Sequence, residues 1–449
     1  MKEIVKKIYV EIVENKLYYF LLSIIILIAT ILNWDANLME GILPYYLTFS
    51  NYFKNGLNYN QIVDHNVYTW PMWGYGLVLI LKYKTIIVLL QQLLTMLVII
   101  IVRLYLKNRI DDKTFRIVAI LILCATPWYF FQVSLWPYGI SANLLTVSLL
   151  LLSIGLEKSK LNYVIFSAIS FGIMLNLRSD YFYFAFILGI TIFFINLFLD
   201  YSKKIPAYIF YWLSIIIITL IPWGIHNYKY SNKFSFVSSN SGHVFYISLG
   251  QLPGNKWNIT PSDEDVMMRN YIDSSISNKE STLTSRSNKI LMSRFFELVK
   301  NDPKEYMKKC IYNAKSFIIN PFYLGSVYSK TNNIDKIKSE IKKNITENKY
   351  LNAIKLFYNE FGLYIIFPIF SYLISQIVFI SAIITTYIYI KRLNTINSYN
   401  ILSLIILLVL FYQIAMSIFA YHLSIYSTNI FLLLIILIGN NFNNKTALN

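Results

Sequence analysis

Long uncharged apolar runs alternate with short polar segments along most of this 449-residue chain. An uncharged run of about 18 residues is long enough to cross the roughly 30 Å hydrocarbon core of a bilayer as a helix. The runs of this kind are 17–34, 85–102, 117–156, 161–177, 181–199, 205–225, 361–390 and a stretch after Arg392. They are predicted to be membrane-spanning helices, because lipid offers no partner for open backbone groups.

Two of the runs are predicted to divide. The run 117–156 is too long for one span, and Pro127 and the turn Trp136-Pro137-Tyr138-Gly139 favour a helical hairpin there. The stretch after Arg392 divides near Tyr421-His422. The predicted fold is therefore all-α, a polytopic membrane protein with about ten transmembrane helices.

The charges predict how the chain is oriented. Only 14% of the residues are charged, whereas a soluble domain carries about 25%. Lys and Arg concentrate in alternate loops, which places those loops and both termini in the cytoplasm. The net charge of +17 is therefore partly a topology signal, and nucleic-acid binding is not expected because no compact basic soluble domain exists. The expected location is the bacterial inner (plasma) membrane.

Two external regions follow from this topology. The first loop, about 35–84, is expected to carry juxtamembrane helices and belongs to an N-terminal transmembrane region, 1–225. A larger external region, 226–360, is expected to contain amphipathic helices, and C-terminal transmembrane helices fill 361–449.

A fresh helix start is predicted inside the larger region. Asp302 suits the N-cap, Pro303 the first helical position, and Glu305 a capping box. The apolar face of this helix is predicted to include Tyr306, Cys310, Ile311 and Phe317. Two interpretations stay open: a helical pair on the membrane surface, or a lid over a lipid-phosphate site.

Several short motifs follow one another along the chain. The first span ends in Asp35, and Glu40 comes five residues later. The later motifs are the Tyr-rich segment 45–56, Trp70-Pro71 to Tyr75, Leu177-Arg178-Ser179-Asp180, Pro222-Trp223-Gly224-Ile225-His226-Asn227, Ser239-Asn240-Ser241-Gly242, Asp302-Pro303-Lys304-Glu305-Tyr306 and Tyr421-His422.

This ordered set resembles the C-type glycosyltransferases, membrane enzymes that use polyprenyl-phosphate sugars and include protein O-mannosyltransferases and lipid A aminoarabinose transferases. The resemblance implies a GT-C fold, an outward-facing active site and inversion at the anomeric carbon. Three departures are present. The double acid of the first motif is Asp35-Ala36 here, His226 replaces an Arg, and the Arg of the last corner is missing.

Transfer from such a donor needs a base for the acceptor and a stabilised phosphate leaving group. Asp35 or Glu40 is the candidate base, although an acid at the end of a span also serves as a helix cap. Donor-phosphate contacts are predicted at Arg178, His226, Lys84 and His422. Arg178 stands beside Asp180, so a structural ion pair competes with phosphate binding, and Lys82 and Lys84 compete with simple snorkelling to the headgroups.

An acceptor or sugar pocket is predicted from four further residues. They are Asp64, His65, Tyr75 and Asn240. A hydrated loop at Asp64-His65 and an interfacial aromatic belt that includes Tyr75 are the structural alternatives.

The sequence therefore predicts a membrane glycosyltransferase acting on a polyprenyl-phosphate-linked sugar. The acceptor is a glycan, a lipid or a protein, and membrane lipids surround the chain. No cofactor and no metal are expected. The alternatives are a polymerase-like or flippase-like protein that handles lipid-linked glycans, and a non-catalytic membrane scaffold.

Overall fold

The structure is a computed structural model of the whole chain. It describes residues 2–33, 84–107, 109–133, 137–199, 202–231, 234–237, 240–263, 265–276, 285–322, 366–391, 401–422 and 424–441, with a few positions between 340 and 359. Except for Lys84, the first external loop (about 35–84) and its predicted juxtamembrane helices lie outside these residues.

The described residues form helices, with no β-strand among them, which confirms the all-α class. The helices of the N-terminal part are α1 (Lys2–Glu14), α2 (Lys16–Asn33), α3 (Lys84–Lys107), α4 (Asp112–Leu123), α5 (Thr126–Val133), α6 (Tyr138–Glu157), α7 (Leu161–Leu177), α8 (Phe182–Leu199) and α9 (Ile205–Ser231). The later helices are α10 (Ser241–Ser248), α11 (Val266–Ser275), α12 (Ser285–Asn301), α13 (Pro303–Ile319), α14 (Ile366–Lys391), α15 (Ile401–Ala415), α16 (Ser424–Ser427) and α17 (Phe431–Asn441).

Short irregular helices connect some of these elements. Turns of 3₁₀ helix occur at Ser179–Tyr181, Leu249–Gln251 and Thr428–Ile430. A π-helix, Met416–Ala420, extends α15.

Six helices are long and apolar enough to cross a membrane, which is the character of an integral membrane protein. They are α3, α6, α8, α9, α14 and α15 with its π-helical extension. The number rises to eight if the pairs α1–α2, bent by 88°, and α4–α5, bent by 46°, each count as one span. Helix α7 and the helical stretch Thr428–Asn441 are apolar but shorter. Length and composition thus support six to eight spans, fewer than the ten predicted.

The helix bundle is closely packed where α7 meets α6 and α9. Gly172 of α7 lies so near Thr219 of α9 that a Cβ atom would not fit between them. Ser148 Oγ and Ser167 Oγ each donate to the carbonyl of the other residue, at 2.9 and 2.8 Å, and Trp212 Nε1 donates to Ser167 Oγ at 2.9 Å. Small residues and interhelical hydrogen bonds of this kind hold helices together in lipid.

A buried charge cluster joins the first three helices at the Lys107 end of α3. Glu11 is 1% exposed and Arg103 is 3% exposed, and Arg103 Nε donates to Glu11 Oε1 at 3.1 Å. Lys107 Nζ lies 3.3 Å from the other carboxylate oxygen, and Tyr19 Oη donates to Glu11 Oε1 at 3.2 Å. The Arg103 guanidinium stacks 3.9 Å from the centre of the Tyr18 ring. These contacts fix α1 across the ends of α2 and α3.

Helices α10 to α13 form a separate small core. Its buried side chains include Leu249, Met268, Leu291 and Phe295. Burial of this apolar surface stabilises the group. We call it the external subdomain (residues 240–322), after the side of the membrane on which the sequence predicts it to lie.

The predicted start of α13 is confirmed at its cap, because the Asp302 carboxylate accepts a hydrogen bond from Glu305 N at 3.1 Å. The reciprocal bond of a capping box is not formed, since Asp302 N donates to Leu298 O. Glu305 instead accepts from Lys256 N at 3.2 Å. The predicted apolar face is wrong at Ile311, which is 54% exposed.

Candidate functional site

The chain turns between α15 and α17 through an unusual corner, residues 416–430. We call it the outer corner, after the side of the membrane on which the sequence predicts it to lie. It begins with the π-helix Met416–Ala420 and continues through Tyr421-His422 to α16 and the 3₁₀ turn Thr428–Ile430. Single turns of π-helix are rare and frequently occur at functional sites. The corner is therefore a candidate site, and side chains from the apolar helices and from the external subdomain meet there.

Arg178 lies against this corner at the end of α7. Its side chain is 6% exposed, and its guanidinium carbon is 3.9 Å from the centre of the Tyr138 ring and 4.9 Å from that of Tyr426. Nη2 forms an ion pair with Asp180 Oδ2. Nη1 is buried and has no hydrogen-bond partner among the described residues. The structural ion pair expected for Arg178 is present, yet it engages only part of the guanidinium.

Hydrogen bonds fix the backbone around Arg178. Tyr412 Oη donates to the carbonyl of Asp180 at 2.5 Å, and Tyr181 Oη donates to Gln413 Oε1 at 3.1 Å. Both partners on α15 lie just before the π-helix. The turn that carries Arg178 is thus attached to the helix that leads into the outer corner.

The external subdomain contacts the π-helix of the corner through Lys309. This side chain is fully buried, and its Nζ donates to three carbonyl oxygens, of Ile418 at 3.4 Å, Phe419 at 3.1 Å and Ala420 at 2.5 Å. A helix C-terminus leaves such carbonyls without partners and carries partial negative charge, which an ammonium group satisfies. Burial lowers the pKa of the Lys309 amine to about 8.

An amide pair continues this junction to His422. Gln251 Nε2 donates to His422 O at 2.8 Å, and His422 N donates to Gln251 Oε1 at 3.0 Å. Asn313 Nδ2 reaches the same Gln251 oxygen at 2.9 Å and Ser417 O at 3.2 Å. Burial lowers the pKa of the His422 imidazole to about 4, so this ring is neutral near pH 7. It brings no positive charge to the corner.

A His–Asp pair lies on the external subdomain close to Tyr421. His243 Nε2 and Asp263 Oδ1 are 2.9 Å apart; the histidine is 3% exposed and the carboxylate 83%. The hydrogen bond from His243 lowers the pKa of Asp263. Tyr421 Oη donates to Pro261 O at 3.2 Å, which holds this loop against the corner.

The loop that presents Asp263 is rigidly built. Asp265 caps α11 by accepting from Met268 N at 2.7 Å, and its other oxygen accepts from Thr260 N and Thr260 Oγ1, both at 2.7 Å. Gly250 lies against the same loop, where a Cβ atom would clash with the Thr260 backbone. The carboxylate of Asp263 is thereby held at a fixed place beside the outer corner.

The structure brings some of the predicted residues together. Arg178 and His422 both lie at the outer corner, and Asn240, half-buried, precedes α10 by one residue, one turn before His243. Lys84 begins α3 and His226 lies within α9, but their side chains are not among the described ones. The other predicted site residues, Asp35, Glu40, Asp64, His65 and Tyr75, lie outside the described residues.

Sequence reasoning did not find Lys309, His243 or Asp263. Lys309 and Asn313 share the face of α13 that contains Phe317, at intervals of four residues, so a polar stripe at helical spacing was the available signal. His243 follows directly after the Ser239-Asn240-Ser241-Gly242 segment, but nothing local relates it to Asp263, twenty residues away.

Replacing Lys309 with methionine is expected to lower stability by about 1–3 kcal/mol, because buried carbonyl groups lose their donor. The lowered amine pKa adds a pH dependence. The folded state holds fewer protons than the unfolded state between about 8 and the ordinary value of 10.5, so stability of the wild type rises through that range. Thermal unfolding of the purified protein at several pH values measures both effects.

Lys304→Met is the matched control, since Lys304 is an exposed lysine of the same helix. It should change the unfolding temperature little. Equal losses in the two variants, or a rise with pH that persists in Lys309→Met, would contradict the buried capping role.

No cluster of three or more His, Cys, Asp or Glu side chains that could hold a metal ion occurs in the part of the chain that the structure describes. Both cysteines, Cys124 and Cys310, are free thiols. Comparison with protein-family models, with curated proteins and with solved structures found no match for this chain.

Proposed function

We propose that this protein is a membrane glycosyltransferase that moves a sugar from a polyprenyl-phosphate donor to an acceptor at the outer face of the membrane. The observation that carries the proposal is the Arg178 guanidinium, 6% exposed, fixed between Tyr138 and Tyr426, with Nη1 lacking a hydrogen-bond partner among the described residues. A buried cation with an unfilled donor favours a bound anion; Nη1 of the buried Arg103 also lacks a partner, but Arg103 is engaged by Glu11 and Asn15, whereas Arg178 lies beside the corner between α15 and α17.

The chemistry of the guanidinium supports a phosphate as that anion. A buried donor without an acceptor costs about 1–3 kcal/mol, and more when it is charged. Asp180 engages Nη2 alone, so an incoming oxygen has Nη1 left to accept from. The planar fork of arginine suits phosphate oxygens, and the two tyrosine rings hold its plane. Stabilising the leaving phosphate in this way is what transfer from a lipid-phosphate sugar requires.

The remaining roles are assigned as follows. Asp35, or Glu40 in its place, is the base that takes the proton of the acceptor hydroxyl. His226 and Lys84 lie on α9 and α3 and supply further donors to the phosphate. The acceptor is a glycan, a lipid or a protein, and it enters from the side of the external subdomain.

The proposed topology has ten spans with both termini in the cytoplasm of a bacterial cell. The six long helices, the two bent pairs, α7 and Thr428–Asn441 supply these spans. The external subdomain and the first external loop then face the periplasm or exterior, on the same side as Arg178.

The experiment measures binding of a polyprenyl monophosphate to purified Arg178 and Asp180 variants. Loss of charge-assisted hydrogen bonds worth about 1.5–3 kcal/mol predicts roughly 10–150-fold weaker binding for Arg178→Ala. Arg178→Lys keeps the charge without the fork and should fall between the alanine variant and the wild type. Turnover should fall in the same order.

The double variant Arg178→Ala with Asp180→Ala separates this role from a structural one. If Arg178 only pairs with Asp180, removing both charges should restore binding; if it holds the phosphate, binding stays lost while stability recovers. Arg294→Ala with Glu297→Ala is the control, because it removes a surface ion pair of the external subdomain. Restored binding in the Arg178–Asp180 double variant would remove Arg178 from the site.

A buried amide cluster favours the flippase-like alternative as a second candidate. Asn143 Nδ2 donates to Gln132 Oε1 at 2.9 Å and to Thr95 Oγ1 at 3.1 Å, which joins α3, α5 and α6. Both amide atoms of the buried Gln92 lack partners among the described residues. Polar groups inside a membrane often line a path for polar cargo.

Reconstitution into liposomes with a fluorescent lipid-linked glycan distinguishes the two candidates. Sugar transfer without translocation supports the glycosyltransferase. Translocation of the glycan that is lost in Asn143→Leu supports the flippase-like protein instead.

A further inference from the structure

Helix α1 is a separate structural element that lies across the end of the first span. It meets α2 at 88°, with only Asn15 between them, so it runs roughly across the direction of the span. The chain before the first apolar run was expected only to supply basic loop residues. It folds instead into a helix of 13 residues, part of whose surface is not covered by the rest of the described chain.

The side chains of α1 divide into a buried and an uncovered part. Glu11 points into the protein and is 1% exposed. Tyr9 is 67% exposed, and Ile12 and Val13 are each 38% exposed, which leaves an apolar edge uncovered. The exposed Lys6 lies on this same edge, three residues before Tyr9 and seven before Val13. A helix whose uncovered face combines apolar side chains with cations is a type that lies in the membrane interface.

The apolar edge of α1 adjoins the lipid-facing surface of α2. Leu17 at the start of α2 is 71% exposed and Phe20, one turn later, is 62% exposed. Both belong to the uncharged apolar run 17–34, which is predicted to span the membrane, so acyl chains are expected beside them. The edge of α1 sits next to that surface because the two helices are joined by one residue.

The buried charge cluster holds α1 at this height. Arg103 of α3 binds Glu11 and also lies 4.8 Å from the ring of Phe115 on α4, so the cluster joins α1 to three other helices. Helix α1 is therefore fixed to the end of the bundle. Its position relative to the bilayer follows from that of the spans.

A set of exposed cations surrounds this cluster. We call it the basic collar, and it consists of Lys6, Lys7, Lys16, Lys113 and Arg116. The described exposed acids near it are Asp112 and Glu14, and Glu14 is paired with Lys107 at 3.0 Å. Even without Lys7, which has a partner of its own, the other four cations outnumber these two acids, so positive charge is in excess next to the apolar edge of α1.

We infer that the basic collar and the apolar edge of α1 form a binding surface for anionic lipid headgroups, with α1 lying in the headgroup layer. Charge complementarity selects anionic over zwitterionic lipid, since basic residues near the membrane surface attract anionic headgroups. The adjoining exposed face of α2 selects lipid over a soluble protein partner. The inference does not depend on the reaction that the protein performs.

The first test measures lipid selectivity of the full chain in nanodiscs of phosphatidylcholine with a minor fraction of phosphatidylglycerol. Spin-labelled lipids report how strongly phosphatidylglycerol is enriched at the protein. Replacing Lys6, Lys7 and Lys16 with glutamine is expected to lower that enrichment roughly fivefold, because each cation near the surface contributes to attraction. Lys158, Lys203 and Lys204, exposed in other basic loops, are replaced in the control.

The control should retain most of the enrichment. Unchanged enrichment in the collar variant, or an equal fall in both variants, would overturn the inference and reduce the effect to the general charge of the protein. A collar variant that lowers enrichment alone supports it.

The second test measures depth. A fluorophore is attached to Ile12→Cys or to Lys7→Cys in a chain whose Cys124 and Cys310 are replaced with serine, and quenching by lipids brominated on the acyl chain is recorded. The apolar position should be quenched and the basic one should not. Absence of quenching at both would place α1 away from the bilayer and overturn the inference, even if the lipid selectivity persisted through another surface.

Discussion

Replacing Glu11 with alanine is expected to destabilise the protein by about 3–5 kcal/mol, because it leaves the buried Arg103 without a counter-charge. Arg103 is 3% exposed, so water cannot take the place of the carboxylate. Tyr19 also loses the acceptor of its hydroxyl group. The attachment of α1 to α2 and α3 should fail with the cluster.

Thermal unfolding of the purified protein measures this loss, and Glu14→Ala provides the control on the same helix. Glu14 is 55% exposed and pairs with Lys107 at the surface, so its removal should cost less than about 1 kcal/mol. The double variant Glu11→Ala with Arg103→Met should recover stability, since neither charge remains buried alone. No recovery would show that the cluster acts through shape and not through charge.

Replacing Asp35 with asparagine is expected to lower sugar transfer by about 10²–10⁴-fold, the usual effect of losing a general base. The amide keeps the shape of the side chain and removes its proton affinity. Binding of the polyprenyl phosphate and the unfolding temperature should stay at wild-type values, because in the proposed site Arg178, not the base, holds the leaving group.

Turnover is measured beside Glu40→Gln and the control Asp112→Asn, an exposed carboxylate of α4. Normal turnover in Asp35→Asn together with an inactive Glu40→Gln would transfer the role to Glu40. Full activity in both would leave the proposed reaction without its base, while Arg178-dependent binding of the donor would still stand as a separate result.

Hydropathy predicted several apolar helices well because it is a property of a continuous run. The runs 85–102 and 161–177 closely match α3 and α7, although the ten predicted spans are not all reached. Amphipathic helices were harder. The predicted apolar face of α13 included Ile311, which is exposed, and did not include Lys309, which is the fully buried side chain. A lysine is buried there only because three carbonyls of a distant segment receive it.

The candidate site was predictable where a single residue stood out locally. Arg178 did so as an isolated cation at the outer end of a span. The contacts of Lys309 with the π-helix join residues more than a hundred positions apart, and no local pattern encodes them. The lysines before the first span were used to predict orientation, but they also belong to helix α1, which the search for long apolar runs did not reveal.

Helix α7 and the helical stretch Thr428–Asn441 are both short for apolar helices that would cross a membrane. Helix α7 has 17 residues, about 25 Å, and three residues of 3₁₀ helix with 11 of α17 give about 22 Å. Both are shorter than a hydrocarbon core of about 30 Å. Arg178 follows the last residue of α7. Tyr426 lies in α16, two residues before the second stretch begins at Thr428. In the proposed topology both helices cross the membrane, so hydrophobic mismatch is expected to thin the bilayer around the outer corner. A polyprenyl phosphate bound at Arg178, as proposed, would then lie below the headgroup level of the surrounding membrane.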